Sequence, residues 1–225
     1  MQTISEKIIK NTLFNFIGYI WLFIVNLLLI PYIVKHLGVD KFGIWTLATV
    51  IVGFCGLFDF GGGAAFVKYI AEHNIKKDIK SINELINSGV FIYAVISIFI
   101  IVFSYFIIHP ILLFLKIPAE YLTETKIVVF YSIVLFCGNY IFSPFAALQF
   151  GLQRIDIKNI ISIFISIPQV IGTVIFLENG YGLNGLIYNN IIIFFIGSIV
   201  NIVIAYKLFP SLKLSVFFIK KRMIA

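Results

Sequence analysis

The chain has 225 residues, of which 61% are hydrophobic and only 12% charged, and it carries a net charge of +7. A soluble domain has about a quarter of its residues charged, so water is excluded as the solvent of most of this chain. Nucleic acid is excluded as a partner, because the Lys and Arg residues sit in loops between apolar runs rather than on one solvated basic face.

A hydrocarbon core about 30 Å thick takes roughly 20 mostly apolar helical residues to cross. Six stretches qualify, predicting membrane spans over 12–34, 42–70, 86–109, 126–150, 160–177 and 183–206. The first is too long for the apolar region of a cleavable signal and no small-residue cleavage site follows it, so it is expected to remain as a helix. The second exceeds what a bilayer needs, and tilt or extension into the cytoplasm is expected. Pro144 and Pro168 fall inside the fourth and fifth, where each removes a helix hydrogen bond and introduces a kink. No repeat or linker divides the chain, so residues 1–209 are expected to form one six-helix unit of an all-α integral membrane protein. Residues 210–225 are basic and amphipathic, too short and too charged to span, and are expected to form a cytoplasmic tail.

Orientation follows from the alternate loops. One set holds thirteen basic residues: Lys7 and Lys10, then Lys68, Lys76, Lys77 and Lys80, then Arg154 and Lys158, then Lys207, Lys213, Lys220, Lys221 and Arg222. The other holds four: Lys35, Lys41, Lys116 and Lys126. Positive residues are retained on the cytoplasmic side, which places both termini there. Trp45, near the outer start of the second span, is expected at the interface.

Polar residues inside spans mark helix faces turned away from lipid. Such stripes run through Asn15 and Asn26 in the first span, Asn139 and on to Gln153 in and after the fourth, Ser166 and Gln169 in the fifth, and Asn190 and Asn201 in the sixth. They are read as the lining of a hydrated cavity, or alternatively as hydrogen-bonding glue between helices. Asp59 is the acidic residue well inside a span, followed by Gly61, Gly62 and Gly63, which let the helix bend or a neighbour approach. An ionised carboxylate at that depth costs roughly 3 kcal/mol on insertion scales. Three roles suit it: binding a cation or proton, contacting a polar substrate, or pairing with a Lys. Pairing with Lys68, on the opposite face of a straight helix, would require a bend. Arg154 and Lys158 could hold a phosphate or serve orientation alone. Cys55 and Cys137 lack the spacing of a disulfide framework or metal site, and no metal or cofactor is expected.

Three segments resemble one transporter family. Leu37-Gly38-Val39-Asp40-Lys41-Phe42-Gly43-Ile44-Trp45 is similar to the segment after the first helix of polysaccharide-biosynthesis flippases, the O-antigen and exopolysaccharide branch of the multidrug, oligosaccharidyl-lipid and polysaccharide exporter superfamily. Gly56 to Gly63 followed by Lys68-Tyr69-Ile70-Ala71-Glu72 resembles their second-helix signature, departing from it at Gly62 and Gly63. Gln149-Phe150-Gly151-Leu152-Gln153-Arg154-Ile155-Asp156 resembles the turn after their fourth helix. The segments occur in family order over about residues 5 to 215.

The resemblance implies a fold of two six-helix lobes around a central cavity, of which this chain is the N-terminal lobe, with 210–225 alternatively the start of the second. It implies translocation of undecaprenyl-diphosphate-linked oligosaccharide across the bacterial inner membrane, and membrane lipid as a partner. Asp59, Lys68 and Arg154 match charged positions of the motifs and are the expected substrate or ion contacts. A second lobe, a homodimer or glycan-assembly proteins would complete the cavity. The competing readings are a cation-coupled small-molecule exporter and a non-transporting membrane scaffold or fragment; an enzyme is not expected, because the outer loops lack a catalytic cluster.

Overall fold

The computed structural model describes residues 4–59 and 61–215, excepting the side chains of 4–15, 17 and 58, so Asn15 lies outside the described side chains. Among the described residues the chain is all-α: α1 (Ile4–Leu37), α2 (Val39–Cys55), a 3-10 turn (Gly56–Asp59), α3 (Gly62–Ile75), α4 (Ile79–Phe114), α5 (Ala119–Gly151), α6 (Ile155–Glu178) and α7 (Gly182–Leu208). Five of them, α1 and α4 to α7, are long and apolar enough to cross a membrane. The stretch predicted as the second span, 42–70, forms two helices, α2 and α3, with a break between them. Gly61 stands at φ +80°, in the left-handed region where a side chain is strained, and it ends the straight path of the helix. Pro144 and Pro168 lie inside uninterrupted helices.

Four of the connections use one device. Lys77, Lys116, Gln153 and Gly180 adopt left-handed φ just past the ends of α3, α4, α5 and α6. The next N–H then returns to a carbonyl five residues back, as in Arg154 N to Gln149 O at 2.9 Å and Tyr181 N to Phe176 O at 3.1 Å. This closes the last helical turn, satisfies carbonyls that would otherwise face lipid headgroups unpaired, and reverses the chain within three or four residues. The start of α4 is capped by Asp78, which accepts from Ser81 N at 3.0 Å and Ser81 Oγ at 2.7 Å. Those two bonds hold the Asp78 carboxyl below its ordinary range. The cap is therefore complete at neutral pH and is lost only as the pH falls through that lowered value.

Helix α5 is the centre, packed against α2, α3, α4, α6 and α7, while α1 packs mainly on α6. Two apolar clusters sit at opposite ends of the bundle. One joins Ile44 and Ala48 of α2 to Leu112 of α4, Val128 and Ile133 of α5 and Leu183 of α7. The other joins Ile70 of α3, Ile82 and Ile86 of α4, Phe145 and Leu148 of α5, and Ala205 of α7. A third, smaller cluster joins Ile33, Leu177 and Leu186, and on the outer surface large apolar side chains point away from the bundle, Phe106 being 70% exposed and Phe99 60%. In lipid such exposure carries no penalty, so close packing and interhelical hydrogen bonds hold the helices together. Asn189, 2% exposed, supplies one of these: its Nδ2 donates to Gln169 O at 2.8 Å and Thr173 Oγ1 at 2.9 Å, tying α7 to α6.

Of the predicted tail, residues 216–225 lie outside the described residues; 211–215 are non-helical and lie along the start of α4. Asn83 Nδ2 donates to Ser211 O at 3.1 Å, and Asn83 Oδ1 accepts from Lys213 N at 2.6 Å. One turn on, Asn87 Nδ2 donates to Lys213 O at 2.8 Å and its Oδ1 accepts from Ser215 N at 2.9 Å. The two amides, spaced by four and hence stacked on one helix face, thus serve as the neighbouring strand that an extended segment needs. Leu212 between them enters the cluster around Ile70 and is 4% exposed.

Candidate functional site

The helix break places Asp59 between three helices. Its Oδ1 accepts from Tyr93 Oη of α4 at 3.0 Å and from Tyr140 Oη of α5 at 3.1 Å. The Gly63 N–H, in the first turn of α3, donates to Oδ2 at 3.2 Å and Oδ1 at 3.3 Å. A carboxylate there satisfies an orphan N–H and complements the positive end of the α3 dipole. Among the described residues its charge is thus spread over two phenols and a helix terminus, with no cation paired to it. The rings of Tyr93 and Tyr140 lie 4.0 Å apart, centre to centre, and Phe66 of α3 meets Tyr93 edge-on at 5.6 Å. A Cβ on Gly62 would stand 2.7 Å from Tyr93 Oη, so the absence of a side chain there is what lets the phenol reach the carboxylate.

Lys68 does not pair with Asp59. It is exposed on α3, with its Nζ 5.8 Å from the centre of the Tyr69 ring. Arg154 is exposed at the α5–α6 turn and bonds Asp156 in two places, Nε to Oδ1 at 3.2 Å and Nη2 to Oδ2 at 3.4 Å. Lys158 Nζ lies 4.5 Å over the Phe150 ring. The turn itself is built by the residues before it. Gln149 is fully buried, its Nε2 donating to Asn201 Oδ1 at 2.9 Å, and a Cβ on Gly151 would stand 2.5 Å from Ile70 Cγ2. Lys68 and Arg154 therefore lie at the same end of the bundle, where α3 and α5 finish side by side.

A half-open cleft of about 550 Å³ lies at mid-height between α2, α5, α6 and α7. Its polar wall comes from Asn139 and Ser143 of α5 and from Asn190, Ser198 and Asn201 of α7. Aromatic rings of Trp45, Phe136, Phe142 and Phe194 alternate with them. Trp45, expected at the interface, is thus part of the cleft. Of the residues expected to line a cavity, Asn139, Asn190 and Asn201 are brought together here. Ser166 is elsewhere: 5% exposed, it accepts from Trp21 Nε1 at 2.7 Å and joins α6 to α1. The Gln169 side chain is not in the cleft wall, and its carbonyl serves the α6–α7 contact. Asn26 is exposed and donates to Leu22 O at 2.8 Å, and Gln153 is exposed at the turn.

Sequence reading passed over Tyr93 and Tyr140, whose phenols inside apolar runs were the available signal, and Asn83, Glu84 and Asn87, which lie before or at the predicted start of the third span. Glu84 is 4% exposed.

The sequence profile of the polysaccharide biosynthesis protein family matches residues 8–225. A Shigella flexneri protein named "Putative O-antigen transporter" is 37% identical over 70 residues, which make up 30% of this chain and 16% of that protein. On those shares the chain spans about half the length of that relative. No solved structure matches significantly. With five membrane-length helices, the motif segments in order and a profile match that runs through all seven helices, the chain belongs to the polysaccharide biosynthesis protein family.

Proposed function

We propose that the chain is one lobe of a flippase that moves a lipid-linked oligosaccharide across the bacterial inner membrane, with the cleft as one wall of the path. The observation that carries this is the cleft itself: amides, hydroxyls and aromatic rings gathered at mid-height in a bundle whose outer surface is hydrocarbon-like. Polar groups at membrane depth are retained where they face protein or water, and a sugar crossing there meets hydrogen-bond partners instead of lipid. The family and the name of the Shigella relative favour transport over catalysis. The lipid tail stays in the bilayer, and a second lobe or a second copy of the chain completes the path.

The test is restoration of surface glycan in a flippase-deficient strain by this chain together with the lobe that completes it. Asn190→Trp, which fills the cleft, is expected to abolish export while the protein remains in the membrane at the parental level. Unchanged export by Asn190→Trp would remove the cleft from the path.

On the same reading Lys68 and Arg154 meet the substrate diphosphate at the basic end of the bundle, the cytoplasmic end on the orientation that the positive charge favours. Arg154 is held by Asp156 through bonds of 3.2 and 3.4 Å, open to exchange for phosphate oxygens. The pair Lys68→Gln and Arg154→Gln should lower export about tenfold or more, the loss of one to two charge-assisted contacts. Export within twofold of the parent, about 0.4 kcal/mol, would mean the pair serves orientation only.

A further inference from the structure

Among the described residues the cleft wall carries no ionisable side chain: the seventeen that line it are all neutral. Asp59 is not among them, and its oxygens are engaged by Tyr93, Tyr140 and Gly63. The hydrogen bonds already made inside the wall decide what it offers a ligand. Thr49 and Ser143 each spend their hydroxyl hydrogen on a carbonyl of their own helix, Thr46 O at 2.7 Å and Tyr140 O at 2.8 Å, leaving oxygen lone pairs outward. Asn139 and Asn201 each spend one N–H in the same way, on Leu135 O at 2.9 Å and Gly197 O at 2.8 Å. Asn190 is different: among the described residues neither its oxygen nor its nitrogen has a partner, and it is half-buried in the wall.

The wall therefore both donates and accepts, and it holds no positive charge. A sugar hydroxyl also donates and accepts, so each finds a match. A carboxylate or phosphate only accepts, and in this wall it would leave bulk water for neutral dipoles with no compensating cation. The rings of Trp45, Phe136, Phe142 and Phe194 add negative π faces, which suit the weakly positive C–H face of a pyranose and repel an anion. We propose that the cleft selects an uncharged, hydroxyl-rich sugar over an acidic one, with Asn190 as the selecting residue. This deepens the transport reading and rests on it; the diphosphate is left to the basic end of the bundle.

Trp45 supplies the readout, because Trp21 is the other Trp of the chain and can be replaced. In lipid nanodiscs, the Trp21→Phe chain is titrated with a neutral glucose trisaccharide and with a galacturonic acid trisaccharide. A saturable change in Trp45 emission is expected with the neutral sugar, and binding of the acidic one at least about tenfold weaker, equivalent to 1.4 kcal/mol. Asn190→Lys is expected to reverse that order. Asn139→Lys, at an exposed position of the same wall, carries the same expectation if the first variant fails to fold. Equal binding of the two sugars, tighter binding of the acidic one by the parent, or no saturable response to the neutral one overturns the selection. Failure of the transport reading would show separately, as surface glycan not restored or unaffected by Asn190→Trp.

Discussion

Asp59→Ala is expected to be the most damaging single substitution in the bundle. It removes the acceptor of Tyr93, of Tyr140 and of the first-turn Gly63 N–H in one step. A hydroxyl left unpaired in a low-dielectric interior costs about 1–3 kcal/mol and a lost bond to a helix-start N–H about 1 kcal/mol, so a loss of roughly 3 kcal/mol or more is expected. Asp59→Asn keeps an amide oxygen to accept from the phenols and from Gly63 N. It gives up only the charge assistance, and should lose less than half as much stability in thermal unfolding of the detergent-solubilised protein. If Asp59 holds the helix break rather than touching cargo, export should follow stability, with Asp59→Asn close to the parent and Asp59→Ala inactive. A well-folded Asp59→Asn protein without export would instead give the charge itself a part in transport. Tyr93→Phe and Tyr140→Phe each remove one of the bonds, and each should be less costly in the Asp59→Asn background, by a coupling of about 0.5 kcal/mol or more.

The membrane class and the places where the chain crosses were legible because hydropathy reports the hydrocarbon core directly. Helix ends were not: α4 runs over 36 residues where the span covers 86–109, since backbone hydrogen bonding continues through polar turns that hydropathy scores as loop. The break before α3 was hidden for the opposite reason. Apolar residues continue through Gly56–Asp59, and hydropathy is blind to backbone; the glycines signalled a bend without saying that the helix stops. The polar stripes behaved in two ways. Those of α5 and α7 face the cleft at Asn139, Asn190 and Asn201, while α6 turns Ser166 and Asn159 to Trp21 and Gly18 of α1 and Gln169 and Thr173 to Asn189 of α7. A helical wheel identifies the face that avoids lipid, but glue and lining use the same residues. The partners of Asp59 come from residues 34 and 81 positions away, a separation that no local pattern encodes.

The same limit hid the contact between Asn83, Asn87 and residues 211–215, which join parts of the chain more than 120 residues apart. All four bonds go to main-chain atoms of the extended segment, so the asparagines fix its path whatever side chains it carries. Leu212 adds the apolar anchor and lies in one cluster with Ile70 of α3, the helix that Asp59 begins. The position of the segment leaving α7 is thus mechanically linked to α3. Asn83→Ala with Asn87→Ala removes the four bonds, each worth about 1 kcal/mol net, so the docked segment should open more easily by roughly 2–4 kcal/mol. Trypsin cleavage after Lys213 in the detergent-solubilised protein should then be at least about tenfold faster, since 1.4 kcal/mol is already tenfold in the open population. Lys213 is exposed yet held at its own N–H and carbonyl, so the parent should resist cleavage there while the Leu212→Ala protein, keeping the amides and losing the anchor, falls between the two. Equal cleavage rates in the parent and the double-alanine protein would mean that Leu212 alone holds the segment, and the amides would then be incidental to its path.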